Sequence, residues 1–466
     1  MYANRWNRTR SRRSYPGAFV AAATVSAALV LSACSPSGGA TEANNSPASA
    51  SPAAVVTDIA KAGNVELVVL DVDGMESGPG RALDALNAAF TAKYPNVKIV
   101  RQAEDFTSYQ SQAKLILSAD DAPCVAQGNQ GFALDSTLVS GGLIRPLDDY
   151  SKAYGWPDQI NEALLSQFRF SSDGKQYGQG NLYGLAPAGE IVGWFYNKAL
   201  LEQIGGEVPA NSDEFEAVLE MAKQAGVQPI VLGNKDKWPA SHVVMSPAMA
   251  LTDPVKTAGI VYGDNSIKWA DLGIEPVLEQ ARGWVEKGYI QPGYDGLSYD
   301  EAVSQFYDGK ALFLNGGSWL TADAESKLGS DAGFFVYPGN GGNTAATGGL
   351  SLPFHVTTNC KTPDVAAAYI DFLIRPEAQQ AYADQAGLPA NLPTAAYEEG
   401  TVSNDVLAAF QAATQAGTLQ PYMDWSTTTI GDVGWSGLQE VLAGRKTAAE
   451  LITALDEDRD AFYAGE

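Results

Sequence analysis

The sequence predicts an α/β protein of two lobes, each built from βαβ units and joined through a buried crossover strand. Three observations carry that prediction. From Val65 onward, short apolar runs alternate with amphipathic helical patterns, which is the mark of parallel βαβ units. The chain has 466 residues, 45% of them hydrophobic, enough for at least two domains. The stretch 183–198, YGLAPAGEIVGWFYNK, separates one set of units from the next. It opens on the turn formers Gly184, Pro187 and Gly189, places one carboxylate, Glu190, and continues into the apolar-aromatic run 191–196. A run so short and so rich in Ile, Val, Trp, Phe and Tyr, bounded by Pro and Gly, reads as a buried strand. The carboxylate at its entrance lies either at the floor of a cleft between the lobes or in solvent at the end of an ordinary core strand.

Taken in order, VELVVLDV (65–72) predicts the first strand, and Gly74, Gly78, Pro79 and Gly80 a loop after it. RALDALNAAFTAKYP predicts a helix stopped at Pro95, VKIV (97–100) a strand, SYQSQAKLILSAD a helix, and APCVAQGNQG a strand running into a Gly-rich loop. In parallel sheets ligands sit beyond the carboxyl ends of the strands, where these loops carry Asp71, Asp73, Glu76, Gln127, Asn129 and Gln130. DGKQYGQGNLYG predicts a hairpin leading into the crossover. The second set of elements runs through VQPIVLGN, a segment bearing Trp238, a helix over 274–287, and FYDGKALFLNGGSWL, which presents Trp319 just past its strand. GGLSLPFHVTT (348–358), containing Gly349, is a second apolar crossover, followed by a helix pair. The tail from Val402 is helical, interrupted by PYMDWSTTTIGDVGW with Trp425 and Trp435.

The formal net charge is -24. The first 33 residues hold Arg5, Arg8, Arg10, Arg12 and Arg13 and no acid, so the remainder is more negative still. Such a surface repels nucleic acid, whose binding relies on Lys and Arg against phosphate, and disfavours anionic ligands. The basic segment, the apolar run 18–31 and the ending Leu31-Ser32-Ala33-Cys34 have the zones of an export signal, with an apolar run too short to span a bilayer. Residues 35–57 are Ser, Pro, Ala, Gly and Asn with almost no large apolar side chain, a flexible tether. Cys124 and Cys360 remain, as either a disulfide or two buried free thiols. No zinc-type Cys/His spacing, nucleophile elbow, P-loop or dinucleotide fingerprint occurs, so no metal or cofactor is expected.

Five segments resemble the extracytoplasmic solute-binding proteins of carbohydrate ABC importers, the group that includes maltose-binding protein. They are LSAC with its tether, YGLAPAGEIVGWFYNKALLEQIG, FYDGKALFLNGGSWL, the stretch from GGLSLPFHVTT through QAGLPA, and VGWSGLQEVLAGRKTAAELITALDEDRDAFY. The resemblance covers residues 62–466. It implies the two-lobed periplasmic-binding-protein fold of type II, with ligand in the cleft between lobes joined by crossover hinge segments. It implies a signal peptide over 1–33, a lipidated Cys34 with a tether to residue 61, one lobe from 62–187 with 353–399, and another from 188–352 with 400–466. It also implies ligand-binding roles for Glu190 and Gly349 at the crossovers, for Trp319, Trp425 and Trp238 as stacking platforms, and for Glu76, Asp73, Gln127 and Asn129 on the loops of the first lobe. Gln127 and Asn129 replace the Trp/Asp-bearing loop of maltose-binding protein, which argues against maltose itself.

The chemistry of those residue types agrees. A pyranose has apolar faces and a rim of hydroxyls. Aromatic rings meet the faces, and carboxylates and amides bond the rim. The expected function is therefore that of a lipid-anchored, monomeric binding protein on the outer face of the cell membrane. It captures a neutral di- or oligosaccharide and delivers it, unaltered, to an ABC importer permease. The rival readings are a secreted carbohydrate-active enzyme, and the same fold binding a non-sugar solute such as a polyamine.

Overall fold

The computed structural model describes residues 55–339, 345–391 and 396–465; the predicted export signal, Cys34 and the tether as far as residue 54 lie outside the described residues. The first sheet is organised around the strand Val65–Asp71, whose parallel neighbours are Val97–Ala103 and Val125–Gln127. Helices cover both of its faces, so its apolar residues need not alternate. Leu67 and Val69 pack with Leu83, Leu86 and Phe90 of the helix Gly78–Lys93. Leu70 packs with Tyr109, Ala113 and Leu117 of the helix Phe106–Leu117. Both helices begin on side-chain caps. Ser77 Oγ accepts from the Gly80 amide at 3.1 Å, and Asp105 Oδ1 from the Ser108 amide at 2.9 Å; such caps contribute about 1 kcal/mol each.

The sheet is completed by Phe354–Val356 and Gly184–Leu185, both running antiparallel to their neighbours. These two short strands are where the chain leaves for, and returns from, the second sheet. After Leu185 three residues lead into Gly189–Asn197, and Ala346–Leu350 of the second sheet precedes Phe354–Val356 by three. The two passages lie side by side, with Glu190 opposite Gly349 and Gly189 opposite Leu350.

In the second sheet Gly189–Asn197 runs antiparallel to Ala311–Gly317 on one side and to Ala332–Phe335 and Ala346–Leu350 on the other. Gln228–Val231 and Leu419–Gln420 extend it in parallel register. The sheet is thus mixed rather than parallel, because its central strand enters from the other sheet against the direction of its neighbours. Its core is aromatic. Trp194 lies 5.0 Å from Phe215 and 6.0 Å from Trp284, ring to ring, and none of the three is exposed. Aromatic pairs of this kind add about 1 kcal/mol each beyond area burial. Trp156 is likewise fully buried and Trp269 nearly so, so four of the nine tryptophans serve the core.

Cys124 and Cys360 are joined as a disulfide. The topology makes the pairing natural. Cys124 immediately precedes Val125–Gln127, Cys360 follows Phe354–Val356, and those strands pair with Val356 opposite Val125, leaving the two Cα atoms 4.4 Å apart. Among the described residues no helix is long and apolar enough to cross a membrane.

Candidate functional site

The crossover strand buries nearly every side chain, and Glu190 is its half-exposed exception. The Tyr422 hydroxyl donates to Glu190 Oε1, joining residues 232 apart in the chain. Burial pushes the Glu190 carboxyl up to about 7; the Tyr422 hydrogen bond opposes that shift, and repulsion from Asp73 and Asp424 adds to it. Burial likewise raises Asp73 to about 6, reinforced by Asp71 and opposed by Gln127 and Arg101. Asp424 is raised to about 6 by burial, with the Trp435 indole opposing. Glu190 therefore feels carboxyl groups from two other, separated segments of the chain. Tyr382, itself raised by burial first, also feels both Asp73 and Glu190.

A continuous run of rings reaches Glu190 through Tyr422. Trp238 lies 4.5 Å from Tyr299 and 5.2 Å from His242; His242 lies 5.8 Å from Trp319 and 5.6 Å from Tyr422; Tyr422 lies 4.8 Å from Trp425. Trp319 Nε1 donates to the Tyr299 hydroxyl at 2.9 Å. Burial lowers His242 to about 4, so at neutral pH its imidazole is uncharged. Phe106, which begins a helix against the first sheet, closes over Trp238 at 6.4 Å. Contacts between the two halves continue on either side: Phe132 N donates to Trp425 O at 2.9 Å, and Arg81 pairs with Asp323 at 2.8 Å.

The loop that carries Asp73 is gripped from behind. Arg101, 6% exposed at its side chain, makes a two-pronged pair with the fully buried Asp71 at 2.8 Å per contact. It also donates to the carbonyls of Gly80 at 2.9 Å and Asp73 at 2.5 Å, and pairs with Asp84 at 2.9 Å. Gln127 ties the same loop from the neighbouring strand. Its Oε1 accepts from Val72 N at 2.8 Å, and its Nε2 donates to Asp73 Oδ2 at 3.4 Å.

Glu190, Asp73, Trp319 and Trp238, named from sequence, thus stand in one neighbourhood with the rings of Tyr299, Tyr422 and His242. Gln127 is buried and engaged in holding Asp73. Trp425 joins the run of rings but is only 4% exposed. Its Cβ sits where any side chain on Gly131 would have to go, 2.2 Å from a Cβ built there, so it also locks the tail onto the first-sheet loop. Gly349 has φ +155°, and a Cβ on it would fall 2.2 Å from the Gln167 amide; Gln167 Oε1 in turn accepts from Leu350 N at 3.0 Å. The crossover requires glycine there. Glu76 is exposed, with its carbonyl bonded by Arg81, and Asn129 is half-buried with its amide N–H donating to Asp135. Sequence reasoning did not name Tyr422, Asp424, Tyr299, Tyr382 or His242 for the site. The cluster Tyr422-Met423-Asp424-Trp425 was the available signal. Among the described residues no group of three or more His, Cys, Asp and Glu is arranged to hold a metal ion.

The carboxyl shifts fix a sign. A carboxyl raised in the folded state holds its proton more tightly there than in the unfolded chain, so stability falls as pH rises from the ordinary carboxylate range through about 7. His242, lowered, acts oppositely below its unfolded value of 6.5. Replacing Glu190 with Gln removes the highest of the raised carboxyls. The melting temperature of the unliganded protein is then expected to fall less, by a few degrees, between about pH 5 and about pH 8 than in the wild type. Scanning calorimetry across that range checks it; identical slopes would show Glu190 to be solvated.

The profile of a family described as bacterial extracellular solute-binding proteins matches residues 85–410. Among curated relatives, the chain is 24% identical over 273 residues to a multiple sugar-binding protein of Streptococcus mutans, covering 56% of this chain and 65% of the relative. It is 26% identical over 265 residues to a probable sugar-binding periplasmic protein of Mesorhizobium japonicum, covering 55% of this chain and 59% of that one. The chain therefore spans less than two thirds of the length of these relatives. Among solved structures, a chitin oligosaccharide binding protein superposes with a TM-score of 0.73 at 24% identity, over 86% of this chain and 100% of the other. A binding protein in complex with raffinose superposes with a TM-score of 0.67 at 19% identity, over 86% and 100%. These likenesses show the type II periplasmic solute-binding fold.

Proposed function

The chain belongs to the bacterial extracellular solute-binding proteins, and from that membership we propose that it captures a saccharide of two or more rings between its lobes and hands it to the permease of an ABC importer. One observation carries the reading: Glu190 and the half-exposed Trp238 and Trp319 belong to a single run of rings and acids at the passage between the two sheets. Indole faces supply flat apolar contact, and Glu190 and Asp73 supply strong acceptors for hydroxyl donors. Relatives named as sugar-binding, and neighbours named for chitin oligosaccharide and raffinose, support the ligand class.

In this proposal residues 62–187 with 353–399 form one lobe and 188–352 with 400–466 the other. Ligand contacts from both lobes favour the closed state, which the permease reads; moving such an equilibrium from almost fully open to almost fully closed takes roughly 5.5 kcal/mol of differential affinity. The protein acts as a monomer, held at the outer face of the membrane by a lipid on Cys34, and it performs no chemistry on the sugar.

A thermal-shift panel of mono- and oligosaccharides, followed by chromatography of the recovered sugar, tests this. At 100 times its dissociation constant a true ligand stabilises the folded protein by about 2.7 kcal/mol. At least one saccharide is expected to raise the melting temperature and to be recovered intact. A panel without any shift rejects the saccharide reading, and cleaved sugar rejects the binding-only mechanism in favour of a carbohydrate-active enzyme.

A further inference from the structure

One contact between the two halves of the chain joins the acid loop of the first sheet to the indole platform of the second. The helix Gly78–Lys93 begins five positions after Asp73, and the helix Thr321–Leu328 begins two positions after Trp319. Asp323, in the first turn of the later helix, reaches the first turn of the earlier one. Its Oδ2 accepts from the Gly78 amide at 3.1 Å, and its Oδ1 pairs with Arg81 Nη2 at 2.8 Å. The Gly78 amide is one of the donors that a helix start leaves without a partner inside the helix, and a carboxylate there also meets the positive end of the helix dipole. Arg81 Nη1 donates to the Glu76 carbonyl at 2.5 Å, which ties the same guanidinium to the loop bearing Asp73.

The approach is close as well as charged. A Cβ built on Gly78 would fall 2.7 Å from Ala322 Cβ, well inside the roughly 3.5–4.0 Å at which carbons pack, and Ala322 has no rotatable side chain to swing aside. Glycine at 78 and alanine at 322 thus let the two helix starts touch. The Asp323 side chain is 22% exposed and that of Arg81 41%, so the pair lies at the rim, where salt reaches it.

We propose that Asp323 is a positioning residue for binding: its contact with Gly78 and Arg81 forms when the lobes close and is lost when they open. It holds Trp319 and the Asp73 loop at their closed spacing without itself touching the ligand. The proposal rests on the two-lobed saccharide reading above and adds a part of the closure that the chain, not the ligand, supplies. A binding-competent state that is only partly populated lowers apparent affinity by its fraction. A contact made only in that state raises the fraction, and with it the affinity for a ligand that bridges the lobes.

Titration with the saccharide that the thermal-shift panel identifies tests this. Asp323→Ala and Arg81→Ala are each expected to weaken binding by about three- to tenfold, the scale of a partly exposed charge at a helix start. The double variant should lose little more than Asp323→Ala alone, because the two residues act as a pair. The loss should lie mainly in the dissociation rate and shrink as salt is added. Gly78→Ala leaves both charges in place but wedges the helix starts apart. It is expected to weaken binding as well, while the unliganded protein melts no lower than the wild type. If the contact is instead fixed packing, present in open and closed protein alike, these variants change the melting temperature and leave affinity as it was. Unchanged affinity in Asp323→Ala or in Gly78→Ala, or losses that simply add in the double variant, overturns the role of Asp323 while the saccharide reading stands. If the panel finds no saccharide at all, both are overturned.

Discussion

Replacing Trp319 with alanine is expected to lower saccharide affinity by about two to three orders of magnitude, the scale of a central aromatic anchor at 2–4 kcal/mol. The size follows from how the ring is held. Its Nε1 donates to the Tyr299 hydroxyl at 2.9 Å, its edge folds back over Gly317, where an added Cβ would meet the indole at 2.0 Å, and His242 flanks it at 5.8 Å. A ring fixed on these sides and half-exposed on another loses little freedom when a sugar stacks on it, so nearly all of the contact appears as affinity. Trp319→Phe keeps a flat face but loses the tether to Tyr299, and is expected to fall between wild type and alanine. Calorimetric titration with the saccharide that the thermal-shift panel identifies measures all three. Alanine binding within threefold of wild type would remove Trp319 from the site and, with it, the reading of the crossover as a cleft floor.

How much of this was legible in advance depends on the range of the contacts involved. The crossover strand could be read from its residues, since a six-residue apolar-aromatic run (191–196) between turn formers has few other uses. Its burial on both faces, however, meant that alternation could not say which aromatic looked where, and Trp194 went wholly to the core. The second passage was legible for the same reason, in its glycines, proline and apolar run. The partners of Glu190 were not. Tyr422 lies 232 residues away, in an irregular segment where no periodicity assigns a face. Trp425, three positions on, was the more conspicuous residue. Sequence could mark an aromatic cluster there but could not say that Trp425 would be spent partly on packing against Gly131 while Tyr422 took the acid. The cysteines show the same limit: a bond across 236 residues becomes evident only once Val125–Gln127 and Phe354–Val356 are known to be neighbours. Net acidity was visible in the composition, but which carboxylates would come near Glu190 is a property of the packing.

The largest effect on stability is expected at Arg101. It is the sole cation facing Asp71 among the described ion pairs, and Asp71 is fully buried. Arg101→Met leaves that carboxylate buried and uncompensated, a change that destabilises by about 3–5 kcal/mol. The melting transition should fall accordingly, and the loop bearing Asp73 should lose protection from hydrogen exchange first, because Arg101 also holds the Asp73 and Gly80 carbonyls. Adding Asp71→Leu to Arg101→Met removes the stranded charge and fills its place with apolar volume, so most of the lost stability is expected to return. Affinity is not expected to return with it. The double variant still lacks both the grip on the Asp73 carbonyl and the bond from the Asp73 amide to Asp71 Oδ1 at 3.0 Å, so Asp73 is no longer delivered to the site. Stability and binding, which fall together in the single variant, should therefore separate in the double one. Denaturant unfolding and calorimetric titration of the same two proteins decide the matter. If affinity recovers in step with stability, Arg101 is merely part of the core and the acid loop finds its place without it.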